Sequence, residues 1–171
     1  VDECKKRGIC VCNAAGYSTN AVSELVFGLI ISLYRKINEG KENMTSGVKM
    51  APGIELSGKK FGIIGTGAIG LKTAEIAKEV YAYSRTEKHI DGVKYITLCD
   101  LMRTCDIISV HVPLNDSTKD LVSSMLIDEM KSDAILINTA RGPIIDNTAL
   151  AKALKDGKIA GAGIDVFDTE P

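Results

Sequence analysis

Apolar positions 22, 25, 26, 29, 30, 33 and 37 repeat at helical spacing, which predicts a helix over 19–37 with Ser18, Thr19 and Asn20 as candidate N-caps. Phe27 and Ile31 fall off that stripe, so the helix is apolar on most sides and points to a domain seam or subunit interface. Ahead of it, residues 8–13 read as a short strand running into a turn at Ala15-Gly16-Tyr17, and behind it the polar stretch 38–58 reads as connector. From Lys60 onward short apolar runs at 61–65, 80–84, 107–112, 134–138 and 161–166 alternate with helical patterns at 68–78, 98–103, 118–130 and 147–155. The runs are unbroken rather than alternating, as in parallel strands covered on both faces. An α/β fold follows, with an open, doubly wound parallel sheet. One junction is odd: helix 68–78 meets the strand at Val80 without a turn, where a connection of about two to six residues is usual. Either the helix ends early or a few residues are absent there.

The chain has 171 residues, 45% apolar and 25% charged, a composition that excludes disorder. Its 21 basic and 22 acidic residues leave a net charge of −1, which argues against nucleic acid as a partner. The longest apolar stretch, 25–31, is far too short to span a membrane. Five cysteines without a CxxC pair and only two histidines argue against a metal site. They read as small buried thiols in a reducing cytoplasm.

Gly65-Thr66-Gly67-Ala68-Ile69-Gly70 follows a predicted strand and opens a predicted helix, the context in which GxGxxG marks a dinucleotide-binding, Rossmann-type turn. Gly65 permits the tight turn, Gly67 lets the backbone approach a pyrophosphate, and Gly70 allows helix and strand to touch. The helix N-terminus offers free N–H groups and a positive dipole to the phosphates. NAD-preferring proteins usually place an acid at the end of the second strand, but here it ends Tyr83-Ser84-Arg85-Thr86 with Lys88 close behind. No carboxylate repels a 2′-phosphate and a guanidinium is at hand, which favours NADPH over NADH. The alternative is that Arg85 and Lys88 are solvated surface charges.

Further on stand Ser109-Val110-His111-Val112-Pro113-Leu114, Leu136-Ile137-Asn138-Thr139-Ala140-Arg141-Gly142, Gly161-Ala162-Gly163-Ile164-Asp165-Val166-Phe167, and Glu170-Pro171. With the glycine turn, these four motifs closely resemble the D-isomer-specific 2-hydroxyacid dehydrogenases over essentially the whole chain. The resemblance implies hydride transfer between a nicotinamide cofactor, NAD(P), and C2 of a small 2-oxo or D-2-hydroxy acid. It gives Arg141 the substrate carboxylate and reacting oxygen, and Glu170 the task of keeping a histidine protonated. It places Ala68 and Ile69 on the diphosphate turn and Ser84 where NAD-preferring members carry aspartate. Val112 and Pro113 follow the third strand, Thr118 begins the next helix, Thr139 and Ala140 flank the nicotinamide, and Asp165 lies near its carboxamide. His111 falls in a strand-end turn and takes a structural role, and His89 belongs to an exposed polar loop.

The chain begins at Val1 without a methionine, and neither histidine matches the family's catalytic one, which lies beyond the Glu-Pro motif. The expectation is a cofactor domain (17–171) of a two-domain dehydrogenase, preceded by a remnant (1–16) of the substrate domain, most of which is absent. As written, the chain binds cofactor and turns over little. A homodimer through helix 19–37 and a cytoplasmic location complete the reading. Its rival is a dinucleotide-sensing interaction module without catalysis, in which Arg141 and Glu170 have no use.

Overall fold

The structure, a computed structural model, describes residues 1–49 and 52–169. A short α1 (Asp2–Lys6) comes first, followed by the long α2 (Thr19–Tyr34) and then α3 (Ile37–Ser46). The α/β succession follows: β1 (Lys60–Ile64), α4 (Ala68–Ile76), β2 (Glu79–Tyr83), β3 (Val93–Tyr95), α5 (Leu98–Thr104) and β4 (Ile107–Val110). It closes with α6 (Ser124–Asp128), β5 (Ile135–Asn138), a 3₁₀ turn at Gly142–Ile144, α7 (Asn147–Lys155) and β6 (Gly161–Ile164).

Among the described residues these strands form one parallel sheet in the order β3-β2-β1-β4-β5-β6, the doubly wound arrangement the sequence pattern predicts. The central strands are apolar on both faces because helices cover both. Phe61, Ile63, Ile107, Ile135 and Ile137 pack with Val26, Ile30 and Tyr34 of α2. Their neighbours Ile64, Ile108, Val110 and Leu136 pack on the other face with Leu101, Met102, Ile127 and Leu150. Each such fully buried side chain stabilises the fold by about 1.5–3 kcal/mol. At the lower edge of the sheet Asp106 accepts from the Lys60 amide (2.8 Å) and the Lys131 ammonium (2.8 Å), tying β1, β4 and the approach to β5 together. Burial works to raise the pKa of this carboxyl, but those two donors outweigh it and hold it below the usual range.

Several expectations are corrected. Residues 8–13 form no strand: Ile9 and Val11 are exposed and pair with no ladder, and the regular element of this N-terminal stretch is α1, which ends before them at Lys6. The helix predicted over 19–37 stops at Tyr34, whose carbonyl accepts from the Ile54 amide (2.7 Å) while Lys36 turns left-handed at φ 54°. Ser18 occupies its N-cap without a side-chain hydrogen bond. The stretch 38–58, read as connector, contains most of α3. The helix expected over 118–130 shrinks to α6, because the Asp120 and Val122 amides donate instead to Pro143 and Ile144 carbonyls. Of the five cysteines read as buried, Cys105 is buried, Cys4 and Cys99 half-buried, and Cys10 and Cys12 exposed. Burial pushes the Cys105 thiol up to about 12. At the abrupt junction near Lys78, α4 stops at Ile76, Ala77 is already extended, and β2 begins at Glu79.

Candidate functional site

The chain order of the strands reverses between β1 and β4, where carboxyl ends of neighbouring strands leave a crevice. A cleft of about 380 Å³ opens there. Its floor is the turn from β1 into α4. Gly65 takes φ 102°, out of reach of most residues, and its amide donates to the Tyr83 carbonyl (2.8 Å). A Cβ on Gly70 would run into the Gly65 carbonyl, and one on Gly65 would run into Val112 and the His111 carbonyl, so the turn meets the helix and the end of β4 only as glycine.

Of the residues expected to bind cofactor, Gly65, Gly67, Ser84, Arg85, Thr86, Val112, Pro113 and Thr118 line this one cleft. Arg85 is exposed and carries no ion pair or hydrogen bond among the described residues, whereas Lys88 donates to the Thr66 carbonyl (2.7 Å). The remaining expected residues stand outside it. Ala68, Ile69 and Gly70 form the first turn of α4, while Thr139, Ala140 and Asp165 follow β5 and β6 on the same carboxyl edge of the sheet. Thr118 begins no helix. It belongs to a turn in which its hydroxyl donates to the Pro113 carbonyl (2.6 Å) and accepts from the Asn115 amide (2.8 Å).

Sequence reasoning missed Thr66, Tyr83, Asn115, Ser117 and Leu121 as cleft walls, and Tyr95, whose hydroxyl meets the buried Thr66 hydroxyl (3.2 Å) from β3. The Asn-x-Ser-Thr turn after Pro113 is a signal that could have found two of them. His111 also lines the cleft, its Nε2 2.9 Å from the Ser109 hydroxyl. Burial pushes its pKa down to about 4, so the ring is neutral at pH 7. His89 is fully exposed.

The turn after β5 is built by the buried Asn138. Its amide donates to the Arg141 carbonyl (2.9 Å) and its carbonyl accepts from the Ala140 amide (3.0 Å). Arg141 is thereby presented outward in extended backbone, its guanidinium bonded only to the Ala140 carbonyl (2.6 Å) and paired with no carboxylate among the described residues. Glu170 lies outside the described residues.

Three features fit a bound dinucleotide. The N-terminus of α4 has no side-chain cap, leaving its first N–H groups for an anion. No atom stands within 4 Å of where a Cβ on Gly67 would be, so a ligand can reach the backbone there. At the other end the Thr139 hydroxyl is buried without a hydrogen-bond partner among the described residues, a group that a ligand's polar atoms would satisfy.

A family model described as the D-isomer specific 2-hydroxyacid dehydrogenase NAD binding domain matches residues 27–171. The glyoxylate reductase of Thermococcus litoralis is 40% identical over 189 aligned residues, covering 100% of this chain and 57% of that one. The D-3-phosphoglycerate dehydrogenase of Haemophilus influenzae is 45% identical over 176, covering 98% and 43%. An acyclic imino acid reductase solved with NADPH and D-Arg superposes with TM-score 0.90 at 36% identity, covering 99% of this chain and 58% of that one. The chain thus spans about half the length of the curated relatives it matches.

Proposed function

Because the chain belongs to the D-isomer-specific 2-hydroxyacid dehydrogenases and carries their NAD-binding domain, we propose that it serves an enzyme reducing a small 2-oxo acid to the D-2-hydroxy acid. The observation that carries this reading is the Arg141 guanidinium, paired with no carboxylate among the described residues and held at the same carboxyl edge of the sheet as a glycine turn shaped for a diphosphate.

The residues divide the work. The first-turn amides of α4, at Ala68 and Ile69, hold the diphosphate, with Gly65, Gly67 and Gly70 letting it approach. Ser84, Arg85 and Thr86 take the adenosine ribose. With no carboxylate at the end of β2, Arg85 pairs with a 2′-phosphate, which favours NADPH. Val112, Pro113 and Thr118 form the opposite wall, while Thr139, Ala140 and Asp165 border the nicotinamide end. A bound nicotinamide supplies the hydride. Arg141 grips the substrate carboxylate through two parallel hydrogen bonds and draws charge from the reacting oxygen. Glu170 holds a protonated histidine that delivers the proton to that oxygen.

Residues 1–16, whose extended stretch pairs with no strand of this sheet, belong to the neighbouring substrate domain. A second copy covers the outer face of α2. Leu25 and Ile31 are exposed there beside an apolar groove of about 840 Å³, whose rim carries Glu24 and Glu79 against Lys59 and Lys78, the self-complementary pattern a two-fold needs. Five unpaired thiols suit the reducing cytoplasm.

The test is cofactor oxidation by the complete protein with glyoxylate, hydroxypyruvate and pyruvate, run with NADPH and NADH. Turnover is expected with at least one acid, and more efficiently with NADPH. Arg141→Gln should cost at least about a hundredfold in kcat/KM while cofactor affinity holds. Absence of turnover with every acid would sink the reading.

A further inference from the structure

Two segments of the site that are distant in sequence, one at Gly142 and one at Asp168, are joined by one amide. Asn147, the first residue of α7, uses a single nitrogen to donate to the Gly142 carbonyl (3.1 Å) and to an Asp168 carboxylate oxygen (2.6 Å). Both partners accept only, so the amide nitrogen rather than its oxygen must face them, and both of its hydrogens are used. The two segments also touch directly. Gly142 is buried, and a Cβ there would run into the Phe167 carbonyl and the Asp168 amide. Asn138 grips the Arg141 turn on the strand side, and Asn147 grips it on the helix side. Helix α7 has its own cap, Asp146, which accepts from the Ala149 amide (2.9 Å), so Asn147 is not needed to cap it.

We propose that Asn147 is a positioning residue, locking the turn that presents Arg141 to the segment that leads towards Glu170. The proposal rests on the dehydrogenase reading above. Arg141 must hold the acid while a proton arrives from a direction set by Glu170, so a fixed frame between their segments aligns substrate and proton donor. The diphosphate and ribose contacts of the cofactor lie on other elements, around β1, α4 and β2, and only its nicotinamide end, at Thr139, Ala140 and Asp165, shares the linked segments.

The test uses the complete protein and Asn147→Asp. That change keeps size and suits a helix N-terminus, where a carboxylate is favoured, but it sets an acceptor against two acceptors. Hydrogen exchange should quicken in both 141–144 and 165–169. The kcat/KM for the 2-oxo acid should fall on the order of 10–100-fold, through kcat as well as KM, because small misplacements of reacting groups are costly. The cofactor dissociation constant should stay within about twofold, since its diphosphate and ribose contacts lie on elements outside the linked segments. Adding Asp168→Asn exchanges donor and acceptor, restores the 147–168 bond, and should recover part of the lost kcat. Unchanged exchange in Asn147→Asp would overturn the link whatever the activity. Quickened exchange with unchanged kcat/KM, or an equal loss of cofactor affinity, would overturn its positioning role. A wild-type protein that turns over no 2-oxo acid would overturn that role together with the dehydrogenase reading, and the exchange data would show the link surviving on its own.

Discussion

At His111 one ring couples the cleft to acid stability. Half-buried beside Ser109, it stays neutral in the fold down to about pH 4, whereas in the unfolded chain it takes a proton near its ordinary value of 6.5. The unfolded state therefore binds more protons between those values, and stability from this group is complete above pH 6.5 and lost as pH falls towards 4. His111→Gln should flatten that part of the curve, read as urea midpoints at neutral pH and at successive steps into acid. Equal slopes for both proteins would remove His111 from the account. The ring's half-buried place in the cleft wall was not legible in the sequence, where it is one histidine in an apolar run. The glycines at 65, 67 and 70 were legible because their spacing is itself the geometry. Asn147 with Asp168 and Thr66 with Tyr95 were not, because pairings made by the fold leave no spacing to read.

Among the elements, those with a periodic apolar pattern were readable and those without one were not. The central strands and α7 stand within a few residues of the sequence pattern, since burial on both sheet faces, or on one helix face, demands it. Strand β3 is three residues long at a sheet edge, and α3 is polar with Gly40 as its one buried residue, so neither left a signature. At the end of α2 the distant Ile54 amide takes the Tyr34 carbonyl and Lys36 turns left-handed, and no glycine or proline there announces the stop in the sequence. The same helix carries the proposed dimer. Its inner face seats Val26, Ile30 and Tyr34, and its outer face leaves Leu25 and Ile31 in water. Ile31→Glu should yield a monomer in sedimentation with the thermal midpoint of the separate subunit intact. A wild-type protein that sediments as a monomer at tens of micromolar would end the proposal.

For the molecule as a whole, an all-parallel sheet with its first strand in the middle sets the order in which parts can be completed. Strand β1 gains β2 on one side early, but its other edge waits for β4. Helix α2 waits longer still, because Leu29 and Leu33 lie over Gly163 and Gly161 of the last strand. During translation, at about 5–20 residues per second, that helix leaves the ribosome on the order of ten seconds before its cover does. Chains stalled before residue 161 should hold α2 open to protease and to chaperone crosslinking, and chains with 161–169 clear of the exit tunnel should not. Equal protection in both would show that α2 seats without β6. The topology that opens a cleft between β1 and β4 thus also leaves the newborn chain with a greasy helix in hand until its final strand arrives.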